Sequence, residues 1–421
     1  MDSFFSLPFK PGTRILTLNT LDQHSKFRKP ERGYMPIHDR EISFANELLT
    51  VGVKIYDEPE EKVYIKVTEH ALLVSCSVDT DESYLSRYAY FALTEMMDSM
   101  KQCNFDQWFW PGCFDPATGK SKFLSIARMG KIVFCRLKLA YRGLVKPGHT
   151  FPILSDEDAI PRSASAVIHE RIPADGDPIV GFSLAYRDLG KRYDEHVPFV
   201  VPYLGIANKA KTVIIGFHKY ISSEEDLFLQ DLSDEQRQLV DICLDMRQQS
   251  RVRYISSYDN IGEIEEKRQY NSQILKYVFA LWQQAMPLLA GRLFTHYQYS
   301  YGMRRLKGKP YRDRLSKCVF RNESPELCFV WKDFGDHYKL ELRFKIDKQI
   351  WMPSYEFNVI FLANTQKNPR TFYLLRSYMD SVLVSYFHED KFQLVILKEH
   401  YEGRVQEFVE GLRSRYKFVE R

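Results

Sequence analysis

The chain of 421 residues has no C-x-x-C pair, and its seven cysteines stand apart at positions 76, 103, 113, 135, 243, 318 and 328. That spacing suits neither a disulfide framework nor a cysteine-rich zinc site, so the thiols are expected to be reduced and mostly buried. No apolar run approaches the roughly 18 residues that cross a bilayer. The amino terminus, MDSFFSLPFKPGTR, has an acid at its second position, no basic region and no long apolar core. It does not read as a secretory signal, and a cytoplasmic protein without a membrane span is expected. Internal repeats and low-complexity linkers are absent too.

Catalytic signatures are equally scarce. A phosphate-cradling loop needs G-x-x-x-x-G-K-[ST], so that backbone amides hold the phosphates and the hydroxyl holds magnesium. The nearest string, GMRRLKGKP from Gly302 to Pro310, has one residue too many between its glycines and a proline where the hydroxyl belongs. Asp194, Glu195 and His196 echo an acidic helicase box in composition only, with no apolar strand before them. The chain alone is therefore not expected to hydrolyse ATP. There is no G-x-S-x-G elbow and no H-E-x-x-H or H-x-H pair. No catalytic residue, metal ligand set or cofactor is expected, and His218, Cys318 and Cys328 read as packed or surface residues. An enzyme whose site is assembled from distant residues stays open.

What the chain does have is aromatic rings, 26 Tyr and 29 Phe, in a mixture that is 44% hydrophobic and 27% charged with a net charge of +4. That is the composition of a globular protein, and rings at this density favour strands and partner surfaces. The length suits roughly two to three domains, each able to bury a core without metal or disulfide.

Periodicity divides the chain into four segments of an α+β, multi-domain fold. Residues 1–125 hold a hairpin and helix at 63–101, with a turn at Glu69 and His70. The helix would carry Leu85, Ala89, Ala92, Met96 and Met100 on one face and start at Thr80 or Asp81. WFWPGCFDPATGK follows as an aromatic knot with turns. Residues 126–225 form a β-rich unit with strand-like runs near 131–141, 167–172, 179–187 and 211–221. In the third, Val180, Phe182, Leu184 and Tyr186 alternate, as for a strand with one buried face. Residues 226–291 are a helical connector. There Ser233 and Gln236 match a capping box before Leu239, Val240, Cys243 and Met246, the acids at 222–235 suit a helix start, and a second helix spans about 262–290. Residues 292–421 alternate apolar strands and close with a helix near 399–416 that shows Val405, Phe408, Val409 and Leu412 on one side. This last segment is expected to be a mainly antiparallel sheet with a terminal helix.

The strongest charge signal is HYQYSYGMRRLKGKPYRDRLSKCVFR, residues 296–321. Arg304, Arg305, Lys307, Lys309, Arg312, Arg314, Lys317 and Arg321 face one acid, Asp313, and are interleaved with Tyr297, Tyr299, Tyr301 and Tyr311. Cations neutralise phosphates while aromatic faces stack on bases, so the segment is a candidate contact for DNA or RNA. A solvated basic loop between two strands has the same composition.

The stretch VYIKVTEHALLVSCSVDTDESYLSRYAYFALTEMM, Val63 to Met97, resembles the hairpin and helix of a SWIM-class zinc finger. Further along, IVGFSLAYRDLGKRYDEHVPFVVPYLGIANKAKTVIIGFHKYI, LQDLSDEQRQLVDICLDM and the last segments through EHYEGRVQEFVEGLRSRY are similar to the N-terminal accessory region of bacterial SWI/SNF-type (Snf-two family) helicases. The resemblance covers roughly residues 60–420 and implies a place beside a DNA-translocating, ATP-dependent motor, which this chain does not contain. The finger's ligand positions fall on Cys76, Val78, Ser86 and Tyr88, so at most one ligand of four remains and packing by Leu85, Ala89 and Ala92 is expected in place of zinc. The resemblance thus implies a non-catalytic accessory module with DNA, RNA or a helicase motor as partner. A protein-interaction scaffold without nucleic acid and a hydrolase of unrecognised type are the alternatives.

Overall fold

The computed structural model describes residues 3–28, 37–78, 83–97, 101–155, 177–186, 196–223, 232–256, 259, 261–299, 303–346, 349–351, 356–358, 360–364 and 366–421. Helices and strands are intermixed along the chain, an α+β fold. The N-terminal part comprises β1 (Phe5–Pro8), β2 (Ile15–Thr17), α1 (Leu18–Gln23), β3 (Ile37–Ala45), β4 (Leu48–Ile55), β5 (Glu61–Val67), β6 (Ala71–Cys76), α2 (Arg87–Met97), β7 (Gln102–Asn104), β8 (Leu124–Met129) and β9 (Ile132–Leu137).

Five of these strands form an antiparallel sheet in the order β1-β6-β5-β4-β3. Alternation gives it one buried face, with Leu49, Val51, Val53, Val63, Ile65, Leu72 and Val74 all inside. The expected hairpin is β5–β6, and Thr68 closes its turn by accepting from Ala71 N and donating to Ala71 O. It is not a free-standing finger, because β4 and β1 pair on either side of it.

The zinc positions do other work. Cys76 faces Val63 across the ladder, Ser86 Oγ accepts from Ala89 N at 3.2 Å, and the Tyr88 hydroxyl bonds Glu58. Ser86 therefore caps α2, while the expected caps Thr80 and Asp81 lie outside the described residues, as does Met100. Among the described residues no group of three or more His, Cys, Asp or Glu is placed to hold a metal. Nor is α2 buried on one side only. Tyr88, Tyr90, Phe91 and Leu93 are buried along with Leu85, Ala89 and Ala92, because the helix is wedged between the sheet and α1, where Tyr90 Oη donates to Asp22. The aromatic knot seals the same core through Phe44, Trp108 and Phe114, with edge-on ring pairs at 5.0 and 5.2 Å.

The second part comprises β10 (Ile179–Tyr186), β11 (Phe199–Ala207), β12 (Ile214–Tyr220), α3 (Asp234–Gln249), α4 (Ile261–Leu289), β13 (Thr295–Tyr299), β14 (Ser316–Arg321), β15 (Glu326–Asp333), β16 (His337–Ile346), β17 (Gln349–Trp351), β18 (Glu356–Asn358), β19 (Phe361–Asn364), β20 (Arg370–Leu374), α5 (Tyr378–Glu389), β21 (Gln393–Leu397), α6 (Arg404–Arg415) and β22 (Lys417–Glu420). An eight-stranded sheet runs β12-β11-β10-β13-β14-β20-β19-β18, and a second sheet runs β17-β16-β15-β22 with β21 beside β16. Strands expected to lie in separate units thus share one sheet. β10 and β13 pair in parallel from Phe182 opposite Thr295 to Tyr186 opposite Tyr299, and one hydrophobic core runs from Val145 to Leu412.

The other core collects Phe5 to Leu144 with Val395 and Leu397 of β21. The change of core therefore falls near 144, and the β8–β9 hairpin, expected to open the middle unit, belongs with the N-terminal core through Leu124 and Val133. The strand pairing within 292–421 is mainly antiparallel, as expected, with β14–β20 and β15–β22 paired in parallel. β10 does not have a single buried face. Ser183 and Ala185 are as buried as Phe182 and Leu184, as befits a central strand between β11 and β13.

The connector helices follow the sequence closely. Ser233 and Gln236 form a complete capping box, Asp234 and Glu235 occupy the first turn of α3, and Leu239, Val240, Cys243 and Met246 are buried. In α4 the C-terminal half carries the packing, where Trp282 donates to Pro198 O at 2.8 Å and meets Phe361 edge-on at 4.7 Å. α5, absent from the expected pattern, is capped by Ser377 and buries Met379, Leu383, Val384 and Phe387. The expected closing helix is α6, with its four apolar residues buried. The expected strand at 167–172 lies outside the described residues.

Candidate nucleic-acid interface

The basic segment becomes a strap between β13 and β14, built from two short 3-10 turns, Met303–Leu306 and Arg312–Arg314. Its apolar residues hold it down and its charged residues stand out. Met303, Leu306 and Pro310 are buried, while Lys307, Lys309, Tyr311, Arg312 and Arg314 are exposed. Polar anchors come from two other elements. Tyr220 N, at the end of β12, donates to Gly308 O at 2.7 Å, and Arg247 of α3 donates to Leu306 O at 3.0 Å. Gly308 has φ of +71°, a left-handed conformation that a side chain would strain. On the far side of the strap, Lys317 Nζ lies 3.4 Å from Thr212 O, its acceptor in the loop before β12.

Between strap and β12 lies a cleft of about 540 Å³, lined by Ile215, Gly216 and Phe217 on one side and Lys307, Lys309, Pro310, Tyr311 and Arg312 on the other. Its floor is apolar and its rim cationic. Among the described residues, no carboxylate pairs with Lys307, Lys309 or Arg312. The Tyr311 ring is 67% exposed, and the Arg314 guanidinium lies 5.0 Å from its centroid. A second cleft of about 710 Å³ adjoins the first through Lys307 and is lined by Arg247, Arg251, Gln248, Asp241 and Asp245 among others. The two aspartates offset its cations, and Asp245 already accepts from Tyr277 Oη at 3.0 Å, so the first cleft is the better match for phosphate.

Beneath the strap, the sheet carries buried polar pairs. Tyr203 Oη lies 2.7 Å from His296 Nδ1, and Tyr220 Oη donates to Gln298 at 2.9 Å. Burial, with a smaller contribution from the Lys317 cation, pushes the His296 pKa down to about 4, so the ring is neutral at pH 7. Burial likewise raises the Tyr203 hydroxyl well above its usual value. Tyr203 reaches His296 by lying across Gly181, where a Cβ would sit 2.3 Å from its hydroxyl. Cys318 in the same layer has its thiol pushed up by burial and is not a thiolate at neutral pH. These groups are packed within the sheet whose strand β12 bonds to the strap.

The candidate residues fare unequally. Lys307, Lys309, Tyr311 and Arg312 come together on the cleft, with Arg314 behind Tyr311 and Lys317 on β14. Arg304 and Arg305 lie in the first 3-10 turn and Tyr299 on β13, but their side chains are outside the described set, as is the whole of Tyr301. Tyr297 is not an open ring. It is half-buried against Phe372 and Tyr186 with the Arg370 guanidinium 4.8 Å from its centroid. Arg321, at the end of β14, pairs opposite Tyr373 and does not line the cleft. The sequence offered no pointer to Ile215, Phe217 or Arg247, which complete the site from distant parts of the chain. The run KTVIIGFHKYI could be read as a strand, but not as the strand beside the strap.

No helix among the described residues is long and apolar enough to cross a membrane. Comparison with protein-family models, curated proteins and solved structures finds no match to this chain.

Proposed function

We propose that the chain is a non-catalytic nucleic-acid-binding module whose contact surface is the cleft between β12 and the strap. The observation that carries this reading is the set Lys307, Lys309 and Arg312, three cations without carboxylate partners among the described residues, gathered on one cleft beside an exposed tyrosine. Unpaired cations are the residues that can replace the counterions of a phosphate backbone. A merely solvated basic loop would spread its charges without a shared concavity. The resemblance of the β5–β6 hairpin, α2 and the later segments to the accessory region of SWI/SNF-type helicases extends the proposal to a role beside such a motor.

The test is binding of a labelled oligonucleotide at low salt by the chain and by the Lys307→Ala, Lys309→Ala, Arg312→Ala triple variant. Binding by the first and its loss in the second support the reading. Without binding at low salt the scaffold reading takes its place. The observation favouring a scaffold is the tip of the β8–β9 hairpin, where Met129 and Ile132 are 72% and 52% exposed.

A further inference from the structure

We infer that the cleft takes single-stranded nucleic acid, DNA or RNA, with one base stacked on Tyr311; this rests on the nucleic-acid reading above. Three features of the cleft separate a single strand from a duplex.

The first is the ring itself. Tyr311 is 67% exposed and has a guanidinium, that of Arg314, as a near neighbour. A cation over one face of the ring restrains its orientation, and the exposure of the residue leaves ring surface for a base. A duplex keeps its bases stacked inside and offers a protein chiefly phosphate and sugar, to which an exposed ring adds little. An unpaired base has a π-face for it.

The second is shape. The major groove of a duplex is read by an inserted helix or β-ribbon, an element that protrudes. Here the cations sit on a concavity of about 540 Å³, a volume that encloses a small ligand and would admit one or two nucleotides. A duplex could touch only its rim.

The third is the distribution of polarity. Phe217 and Pro310 give the cleft apolar walls, and Ile215 is 53% exposed on the same side. Lys309 and Arg312 line the same cleft as Tyr311. A base on the ring would thus have an apolar floor beside it and cations in the same cleft for its flanking phosphates. Phosphate neutralisation alone would not need that floor.

The experiment measures fluorescence anisotropy at about 50 mM salt, where phosphate contacts are strong. The probes are homopolymeric DNA and RNA strands of about 12 nucleotides, within the usual range of single-strand site sizes, and a DNA duplex of the same length. Tyr311→Phe, Tyr311→Ala and Lys309→Ala are compared with the unaltered chain, and unchanged thermal midpoints show that each variant is folded. The expected results are at least about tenfold tighter binding of a DNA or RNA strand than of the duplex, near-normal binding by Tyr311→Phe, and a loss of about five- to a hundredfold in Tyr311→Ala. The salt dependence should stay unchanged in Tyr311→Ala and become shallower in Lys309→Ala. Equal binding of strand and duplex, or an indifferent Tyr311→Ala, would overturn the inference while leaving the nucleic-acid reading in place. Absence of binding to every probe would overturn both.

Discussion

The backbone N–H of Tyr220 donates to the carbonyl of Gly308 at 2.7 Å. This bond joins the end of β12, an edge strand of the eight-stranded sheet, to the middle of the basic strap. It uses a donor that an edge strand would otherwise present to solvent. It also sets the two lysines on either side of Gly308 against β12, so that cleft and strap form as one piece of structure. Sheet pairing, strap conformation and charge placement are therefore linked through a few backbone contacts.

Gly308→Ala tests that link. Its φ of +71° costs a residue with a Cβ about 1–2 kcal/mol, although the added methyl group would meet nothing within 4 Å. Urea denaturation should show a loss of that size or less, and anisotropy should show severalfold weaker oligonucleotide binding with no charge removed. Unchanged affinity together with reduced stability would mean that strap geometry does not govern binding.

Gly181→Ala should be more damaging, because the new Cβ would occupy space that the Tyr203 ring now fills. Overpacking of this kind costs about 1–3 kcal/mol. The cost should shrink when Tyr203→Ala is added, since neighbours in contact are not additive. A double-mutant cycle by urea denaturation checks this, and strictly additive losses would refute the stacking of Tyr203 over Gly181 as the cause.

His296 predicts a pH dependence of stability. Its folded pKa, about 4, lies below the ordinary histidine value of 6.5, so protonation favours the unfolded chain. Its contribution is whole above pH 6.5 and declines as the pH falls through that value toward 4, by about 3 kcal/mol in all. Between pH 7 and about 4.5 the unaltered chain should lose roughly 2–3 kcal/mol more stability than His296→Gln. Parallel pH profiles for the two proteins would show that His296 is not buried as a neutral ring.

The Ser233 cap offers a local test. Ser233→Ala removes the oxygen that accepts from Gln236 N, and loss of such a cap costs about 0.5–2 kcal/mol. Thermal unfolding should register it, with oligonucleotide affinity unchanged because α3 supplies the cleft with no residue from its first turn.

What could be read from the sequence was what neighbours in the chain decide. The Ser233–Gln236 box, the β5–β6 turn and the apolar face of α6 are each set within a few residues, and all three stand in the structure. The basic residues of 304–317 were visible as composition. Which of them share a cleft was not, because that depends on pairing between β12 and a strap distant in sequence. Long-range pairing also explains the shared sheet, since nothing near Phe182 announces Thr295 as its neighbour in the ladder. α5 has a helical spacing in Met379, Leu383, Val384 and Phe387, but the consecutive Val382, Leu383 and Val384, followed closely by Tyr386 and Phe387, are equally the residues of a short strand, and the two readings compete over so short a run.

The most direct test of the central claim is the salt dependence of oligonucleotide binding by the chain and by the Lys307→Ala, Lys309→Ala, Arg312→Ala variant. Each phosphate contact contributes about 0.7–0.9 to the slope of log K against log salt, so the three together should account for about 2–3 units. Measurable low-salt binding is expected, with a slope that flattens by that amount in the variant. Absence of binding at low salt, or identical slopes for the two proteins, would contradict it.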